Sequence, residues 1–238
     1  MNKPGVLSIV IPVFNEENYI LEVIKRVKQA DALGLKKEII IVDDASTDKS
    51  LSIIKANQKK YKLVILSNKR NIGKGSSLRK GLQKTTGNIV LIQDADLEYD
   101  PSEYPSLLEP IVADRADVVY GSRFVGGRPH RVVYYWHSVI NSILTTFSNM
   151  MTNINLTDME TCYKVFKGDL IRKIAPKLES RRFGFEPEIT ARLARVRNIR
   201  FYEVGISYYG RTYSEGKHIY WVDGIKAIYQ IIKYNIFI

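Results

Sequence analysis

The stretch Ile89-Val90-Leu91-Ile92-Gln93-Asp94-Ala95-Asp96-Leu97-Glu98 decides how this chain is read. Its first four residues are apolar on both faces of a strand, and Gly87-Asn88 precede them. Such a run reads as a central parallel strand, covered on both sides. Successive strand residues alternate faces, so Asp94, Asp96 and Glu98 are expected to converge just beyond the strand tip. Carboxylates this close repel one another unless a cation sits among them. Hard divalent ions take such oxygen ligands, and Mg²⁺ often shares its site with substrate phosphates. The carboxyl ends of strands in an open α/β sheet are also where ligands bind. The same letters equally describe an acidic turn before Pro101, with Asp100 capping a helix.

Working outward, Val6 to Val13 forms a first strand ending in Pro12-Val13-Phe14-Asn15-Glu16-Glu17. Asn15 is expected to cap the next helix, with Glu16 and Glu17 in its positive first turn. Ile20, Val23, Ile24 and Val27 repeat at amphipathic helical spacing. A second strand, Glu38 to Asp43, closes in Asp43-Asp44-Ala45-Ser46-Thr47-Asp48, and a helix runs on to about Lys59. Leu63 to Leu66 is a third strand. Asn68-Lys69-Arg70-Asn71-Ile72-Gly73-Lys74-Gly75 looks like a phosphate loop but lacks G-x-x-x-x-G-K-[ST], so a helix entry with a basic face explains it as well. The first half therefore reads β-α-β-α-β-α-β, an α/β fold with a mostly parallel central sheet and helices on both faces. Acidic residues at three strand ends on one edge (Glu16, Asp43/Asp44, Asp94/Asp96) suggest a site for a metal and a polar ligand.

At 238 residues and 45% hydrophobic, the chain can bury a real core, which excludes wholesale disorder. It carries 36 Lys+Arg against 25 Asp+Glu, a net charge of +11 that suits an anionic partner. Cys162 is the only cysteine, so no internal disulfide is possible and a reducing compartment is expected. The first residues lack the n-region, h-region and cleavage site of a leader. No continuous run is long and apolar enough for a clear membrane span. One domain, 1–238, is expected.

After a helix near Ser102 to Ala113, Val118-Val119-Tyr120 is a strand that leads into Gly121-Ser122-Arg123. The basic loop Gly126-Gly127-Arg128-Pro129-His130-Arg131 follows. An arginine here either meets phosphate oxygens with its forked donors or makes a surface ion pair. From Val132 to Thr157 there is no Asp, Glu, Lys or Arg. Trp136, Val139, Ile140, Ile143, Leu144, Phe147, Met150 and Met151 form an apolar stripe, with Ser138, Asn141, Ser142 and Thr145 opposite. That stripe is core, a dimer contact, or a helix lying in a membrane interface. Arg181-Arg182-Phe183-Gly184-Phe185-Glu186-Pro187-Glu188 opens a helix, Ile199 to Tyr209 reads as a strand, and 219–238 as an amphipathic helix.

Five motifs in this order resemble glycosyltransferase family 2, and within it the dolichol-phosphate mannosyltransferase-like branch. They are Pro12-Val13-Phe14-Asn15-Glu16, Asp43-Asp44-Ala45-Ser46-Thr47-Asp48, Asp94-Ala95-Asp96-Leu97, Gly121-Ser122-Arg123, and the late pair Arg211 and Lys217. The resemblance implies a GT-A-type fold, with a nucleotide-sugar half at 1–125 and an acceptor-side half at 126–238. It implies that Pro12, Phe14, Glu16, Val42 and Asp44 hold the nucleotide. Asp94, Ala95, Asp96 and Glu98 would lie at the diphosphate and a Mg²⁺ or Mn²⁺ ion. Arg123, Arg211 and Lys217 would contact phosphates. Asp94, Asp96 and Arg123 are thus the expected catalytic residues. The donor would be a GDP- or UDP-linked sugar, and the acceptor a polyprenyl phosphate at the cytoplasmic face of a membrane, with peripheral attachment.

The departures from that pattern carry information. Phe14 stands in place of Tyr and keeps a ring that can stack on a base. Glu98 adds a third carboxylate. Where polyprenyl-phosphate enzymes show Asp-x-Thr-Ser-Gly-Phe/Tyr-Lys, this chain has Asp158-Met159-Glu160-Thr161-Cys162-Tyr163-Lys164. Glu160 is therefore either a general base for a saccharide hydroxyl acceptor or the partner of an arginine. His137 either meets an acceptor phosphate or is structural. Two other classes fit less well. A signalling receiver, suggested by Ile41-Val42-Asp43-Asp44, would carry its acidic pair after the first strand and be about half as long. Nucleic-acid binding, suggested by the charge, lacks a helix-turn-helix, zinc-finger or RNP signature.

Overall fold

The computed structural model describes residues 5–126, 131–132, 134–182, 184–210 and 221–237, with side chains at 221–223 and 225 excepted. Its elements in chain order are β1 (Val6–Val13), α1 (Ile20–Gln29), β2 (Lys36–Asp43), α2 (Ser50–Tyr61), β3 (Leu63–Ser67), α3 (Lys74–Leu82), β4 (Ile89–Ile92), α4 (Tyr104–Val112), β5 (Val118–Ser122), α5 (Tyr135–Thr152), β6 (Lys164–Lys167), α6 (Gly168–Ile174), α7 (Phe185–Ala194), β7 (Phe201–Gly205) and α8 (Trp221–Ile236). The strands make one sheet, ordered β3-β2-β1-β4-β6-β5-β7. β1 runs parallel to β2 and β4, and β2 parallel to β3. The acidic ends of β1, β2 and β4 therefore share one edge, as the sequence implies.

Neighbouring residues on these strands are buried together. Ile9, Val10 and Ile11 on β1 and Val90 and Leu91 on β4 are inaccessible. Because they alternate faces, the sheet must be covered on both sides. In α1, Ile20, Val23, Ile24 and Val27 are buried while Glu22 pairs with Arg26 on the outer face. Each such aliphatic side chain contributes roughly 1.5–3 kcal/mol relative to exposure.

β6 is a strand that local pattern did not reveal. It lies antiparallel between β4 and β5. Four residues flanked by lysines carry no readable period, yet Lys164 is buried. Its ammonium lies 4.5 Å from the Tyr120 ring centroid and donates to the carbonyls of Met159 and Thr161. The last strand covers only Phe201–Gly205 of the expected span.

One further expectation is corrected. Asn15 does not cap α1, which begins after Tyr19 without a side-chain cap. Asn15 instead adopts φ 55°, and its side chain accepts from Thr47 N in the neighbouring turn. In α5 the polar side turns inward: Thr145 and Ser148 are buried, and Thr145 Oγ1 accepts from Met159 N. Trp136, Ile143 and Met150 of the apolar stripe are 70%, 56% and 76% exposed, while Leu144 is buried and Phe147 and Met151 rest against the core. Hydrogen-bonding demand from the 156–159 loop, rather than hydrophobicity, sets the rotation of this helix.

Gly73 and Gly75 explain the glycine-rich loop. Gly73 caps α3 with φ 96°. A Cβ there would lie 2.2 Å from Arg181 O, and one at Gly75 would lie 2.7 Å from Ser180 O. Ser76 N also donates to Arg181 O at 3.2 Å. The glycines permit backbone-to-backbone approach between the start of α3 and segment 180–182. Gly75→Ala is expected to lower stability by about 1–3 kcal/mol in urea denaturation. A wild-type midpoint would contradict this account of the loop.

Candidate functional site

Each acidic strand end turns through a non-glycine residue with positive φ: Asn15 at 55°, Ala45 at 60° and Leu97 at 60°. Such residues are uncommon and gather where surrounding structure over-determines the backbone. The first two turns are stapled together. Asn15 N donates to Ser46 Oγ, Glu16 N to Ser50 Oγ and Glu17 N to Asp48 Oδ2, while Lys49 N returns a bond to Glu17. Phe14 projects from this edge, 43% exposed, whereas Val42 is fully buried.

Asp43 and Asp44 differ in what they do. Asp44 accepts from Asn68 Nδ2 at 2.7 Å, Ile72 N at 3.1 Å and Gly73 N at 2.7 Å. It holds the entry to α3. Asp43 Oδ2 is buried with no hydrogen-bond partner. A buried carboxylate oxygen without a donor costs free energy, which sets Asp43 apart from Asp44.

The expected convergence of Asp94, Asp96 and Glu98 is not what the chain does. β4 ends at Ile92, and the turn at Leu97 breaks the alternation. Asp94 pairs with Lys74 Nζ at 2.9 Å, and Glu186 lies 3.7 Å from the same ammonium. Burial works against the Lys74 charge, but Asp94, Cys162 and Glu186 together outweigh it, so the pKa is raised. Asp96 Oδ1 accepts from Glu98 N at 3.2 Å, and Glu98 Oε2 accepts from the Tyr208 hydroxyl at 2.9 Å. Asp100 accepts from Ser102 N, so the helix-capping reading of that residue also holds. Among the described residues, no three His, Cys, Asp or Glu side chains gather as a metal site. Each of the three carboxylates is a hard oxygen donor of the kind a divalent ion takes, but in this structure they do not gather at one point, and Asp94 is paired with the Lys74 ammonium.

A polar-aromatic scaffold supports this segment. Gln93 Oε1 accepts from the hydroxyls of Tyr104 and Tyr163, and the Tyr99 hydroxyl accepts from Cys162 N. Burial first, and Asp94 second, push the Cys162 thiol up, which rules out a thiolate nucleophile. Beyond Tyr99 lies Arg123. Its Nε and Nη2 bind fully buried Asp158 at 2.6 and 2.7 Å, and Nη2 reaches Asn141 of α5 at 3.3 Å. Arg123 is thus a half-buried guanidinium oriented by a buried carboxylate. Nothing among the described residues accepts from its Nη1. A pocket of about 390 Å³ opens beside it, walled by Phe124, Arg131, Val132, Tyr135 and Tyr208. His137 does not line this pocket and stacks edge-on against Tyr134 at 5.6 Å. Arg211 and Lys217, like Arg128 and His130, lie outside the described residues.

The sequence model of Glycosyl transferase family 2 matches residues 8–175. The chain belongs to glycosyl transferase family 2. It is 26% identical over 236 residues to a dolichol-phosphate mannosyltransferase of Pyrococcus furiosus, covering 96% of this chain and 64% of that protein. It is 27% identical over 215 residues to an undecaprenyl-phosphate 4-deoxy-4-formamido-L-arabinose transferase of Edwardsiella ictaluri, covering 89% and 62%. These relatives put it with the dolichol-phosphate mannosyltransferase-like branch. The chain spans less than two thirds of either relative. A crystal structure of glucosyl-3-phosphoglycerate synthase from Mycobacterium tuberculosis with Mn²⁺, UDP and glucosyl-3-phosphoglycerate has the same fold, at TM-score 0.69 and 18% identity. That alignment covers 97% of this chain and 80% of the synthase.

In this family 2 chain, Glu160 has neither role that its sequence suggests in simple form. Its Oε1 is enclosed and has no hydrogen-bond partner, so no arginine pairs with it there. Burial first, then Glu186 and Asp158, raise its pKa from 4.5 to about 8, against the opposing pull of Lys164 and Arg123. The carboxyl therefore holds its proton to a higher pH than an ordinary glutamate. Lys74, Tyr208 and Asp158 are site residues that local motifs missed as such. Their partners lie far off in sequence.

The unfolded chain ionises Glu160 near 4.5 while the folded chain keeps the proton to about 8. Stability is therefore lost as pH rises across that window. Glu160→Gln keeps the shape without the titration. It is expected to raise stability at pH 8 by about 1–3 kcal/mol and to leave it nearly unchanged at pH 4. Melting curves at both pH values check this; equal shifts at the two would contradict it.

Proposed function

We propose that this chain is a metal-dependent, inverting transferase that moves a sugar from a nucleoside diphosphate to a polyprenyl phosphate. The observation that carries the reading is the pocket beside Arg123, whose Nη1 has no acceptor among the described residues and whose wall is largely apolar and aromatic. An ionised phosphate with a hydrocarbon tail suits both features. Relatives named for dolichol-phosphate and undecaprenyl-phosphate transfer support it. The sheet edge with Phe14, Glu16 and Asp43 would take a UDP- or GDP-linked donor, Phe14 stacking on the base. Residues 1–125 would form the donor half and 126–238 the acceptor side.

The acceptor phosphate oxygen attacks the anomeric carbon as the bond to the nucleoside diphosphate breaks, so one bond forms, one breaks, and the configuration inverts. A phosphate is already ionised near neutral pH and needs no general base, which agrees with a protonated Glu160. Asp94, Asp96 and Glu98 would hold Mg²⁺ or Mn²⁺, which when bound supplies positive charge to the leaving diphosphate. Lys74 brings a further cation to that corner, and Arg123 orients the nucleophile. A saccharide hydroxyl acceptor is the second reading. It is favoured only by the partnerless Glu160 oxygen and would require that carboxyl to ionise first.

No helix among the described residues is long and apolar enough to cross a membrane. Trp136, Ile143 and Met150 on α5, and Tyr229 and Ile236 on α8, are exposed, and the two helices pack together. The reading assigns these faces to peripheral contact with the cytoplasmic side of a membrane. Two outcomes follow from it. In a thermal-shift panel of nucleotide sugars, one gives stabilisation that needs Mg²⁺ or Mn²⁺ and is lost in Asp96→Ala. Stabilisation indifferent to that substitution would remove the metal assignment. The protein co-sediments with liposomes, and the pair Trp136→Ser with Ile143→Ser releases it without lowering the melting temperature. Undiminished pelleting of that variant would move the membrane contact elsewhere.

A further inference from the structure

The inner face of α5 is tied to its surroundings by three polar side chains spaced a helical turn apart. Asn149 Nδ2 donates to the Leu156 carbonyl at 2.7 Å, and its Oδ1 accepts from Leu156 N at 3.1 Å. Thr145 Oγ1 accepts from Met159 N at 3.2 Å. Asn141 comes next along the same face. Its Oδ1 accepts from Arg123 Nη2 at 3.3 Å, and its Nδ2 donates to Asp158 Oδ1 at 3.4 Å. Asp158 is fully buried and holds Nε and Nη2 of the same guanidinium. The three side chains close a ring in which Arg123 offers only donors, the carboxylate only acceptors, and the amide one of each. Tyr135 and Ser138, in the first turn of α5, wall the pocket that opens beside Arg123.

We propose that Asn141 is a positioning residue for the acceptor phosphate: it locks Arg123 against Asp158, so that Nη1 is the nitrogen left for an anionic oxygen in the pocket. The inference rests on the functional reading above, in which Arg123 meets that phosphate. Nε and one hydrogen of Nη2 are taken by Asp158, and Asn141 Oδ1 takes the other hydrogen of Nη2. The N–H groups of Nη1 have no acceptor among the described residues. The rings of Tyr208 and Phe124, 5.2 and 5.6 Å from the guanidinium carbon, flank it without supplying a directional acceptor. An aliphatic side chain at 141 would leave an Nη2 hydrogen without its partner and the guanidinium free to tilt toward another. A carboxylate there would face Asp158 with like charge. An amide satisfies both neighbours, and it fixes the cation to the helix that forms the pocket wall.

The test uses the whole chain and two probes, farnesyl phosphate and farnesol, the second being the same tail without the anion. Each is titrated by calorimetry in one detergent. The wild type is expected to bind farnesyl phosphate more tightly than farnesol. Asn141→Leu is close in size and removes both hydrogen bonds. It is expected to weaken farnesyl phosphate about tenfold and to leave farnesol binding unchanged. Asn141→Ala supplies a second truncation that cannot overfill the site, with the same expected losses. Asn141→Gln keeps the amide and should restore most of the lost affinity. In an Arg123→Lys background there is no planar fork to orient, so Asn141→Leu should cost no further affinity. Wild-type affinity in both truncations, an equal loss for farnesol, no rescue by Asn141→Gln, or an equal loss in the Arg123→Lys background would overturn the inference while leaving the functional reading intact. A wild-type chain that binds farnesyl phosphate no better than farnesol would overturn the reading and the inference together.

Discussion

Strands buried on both faces can carry chemistry only at their ends. β4 is apolar and buried throughout, and β1 apart from Ser8 and the second half of β2 are apolar too, so the acidic side chains that follow them gather at the carboxyl ends. Parallel pairing then puts those ends next to one another. The turns that follow are forced into positive φ at Asn15, Ala45 and Leu97 and are stapled by side chains from the adjacent turn. A rigid acidic rim results, supported from below by Gln93 and a group of tyrosines.

Electrostatics decides how that rim survives without a ligand. Carboxylates so close together would destabilise the fold if each were left to itself. Asp94 takes the Lys74 ammonium, Asp44 takes backbone N–H groups at the α3 entry, and Glu98 takes a phenol. Asp158 is neutralised by Arg123 through a forked contact that also orients the guanidinium. Among the described residues, Asp43 Oδ2 and Glu160 Oε1 are buried carboxylate oxygens with no hydrogen-bond partner. Glu160 is enclosed among other acids and keeps its proton.

Much of this was legible from local pattern. The β-α alternation over residues 6–92, the face of α1 and the shared acidic edge follow from period and burial rules alone. What escaped depends on distant partners. Tyr208 and Glu98 are 110 residues apart, and nothing local in either marks the bond. β6 is too short for a period and is held by a lysine that solvation arguments would expose. Which side of α5 faces the core stayed open in the sequence, because hydrophobicity says nothing about a loop in which Met159 N donates to Thr145. The Gly73-Lys74-Gly75 run looked like a phosphate cradle. Its glycines serve a backbone crossing, and its lysine serves Asp94.

The central claim is that sugar passes from a nucleotide to a lipid phosphate. It is tested most directly by mass spectrometry and anomeric NMR of products formed from UDP- and GDP-sugars with Mg²⁺ and farnesyl phosphate. The account predicts a farnesyl phosphosugar with inverted anomeric configuration and one nucleoside diphosphate released per transfer. Exclusive transfer to saccharide hydroxyls, or retention of configuration in the lipid product, would contradict it.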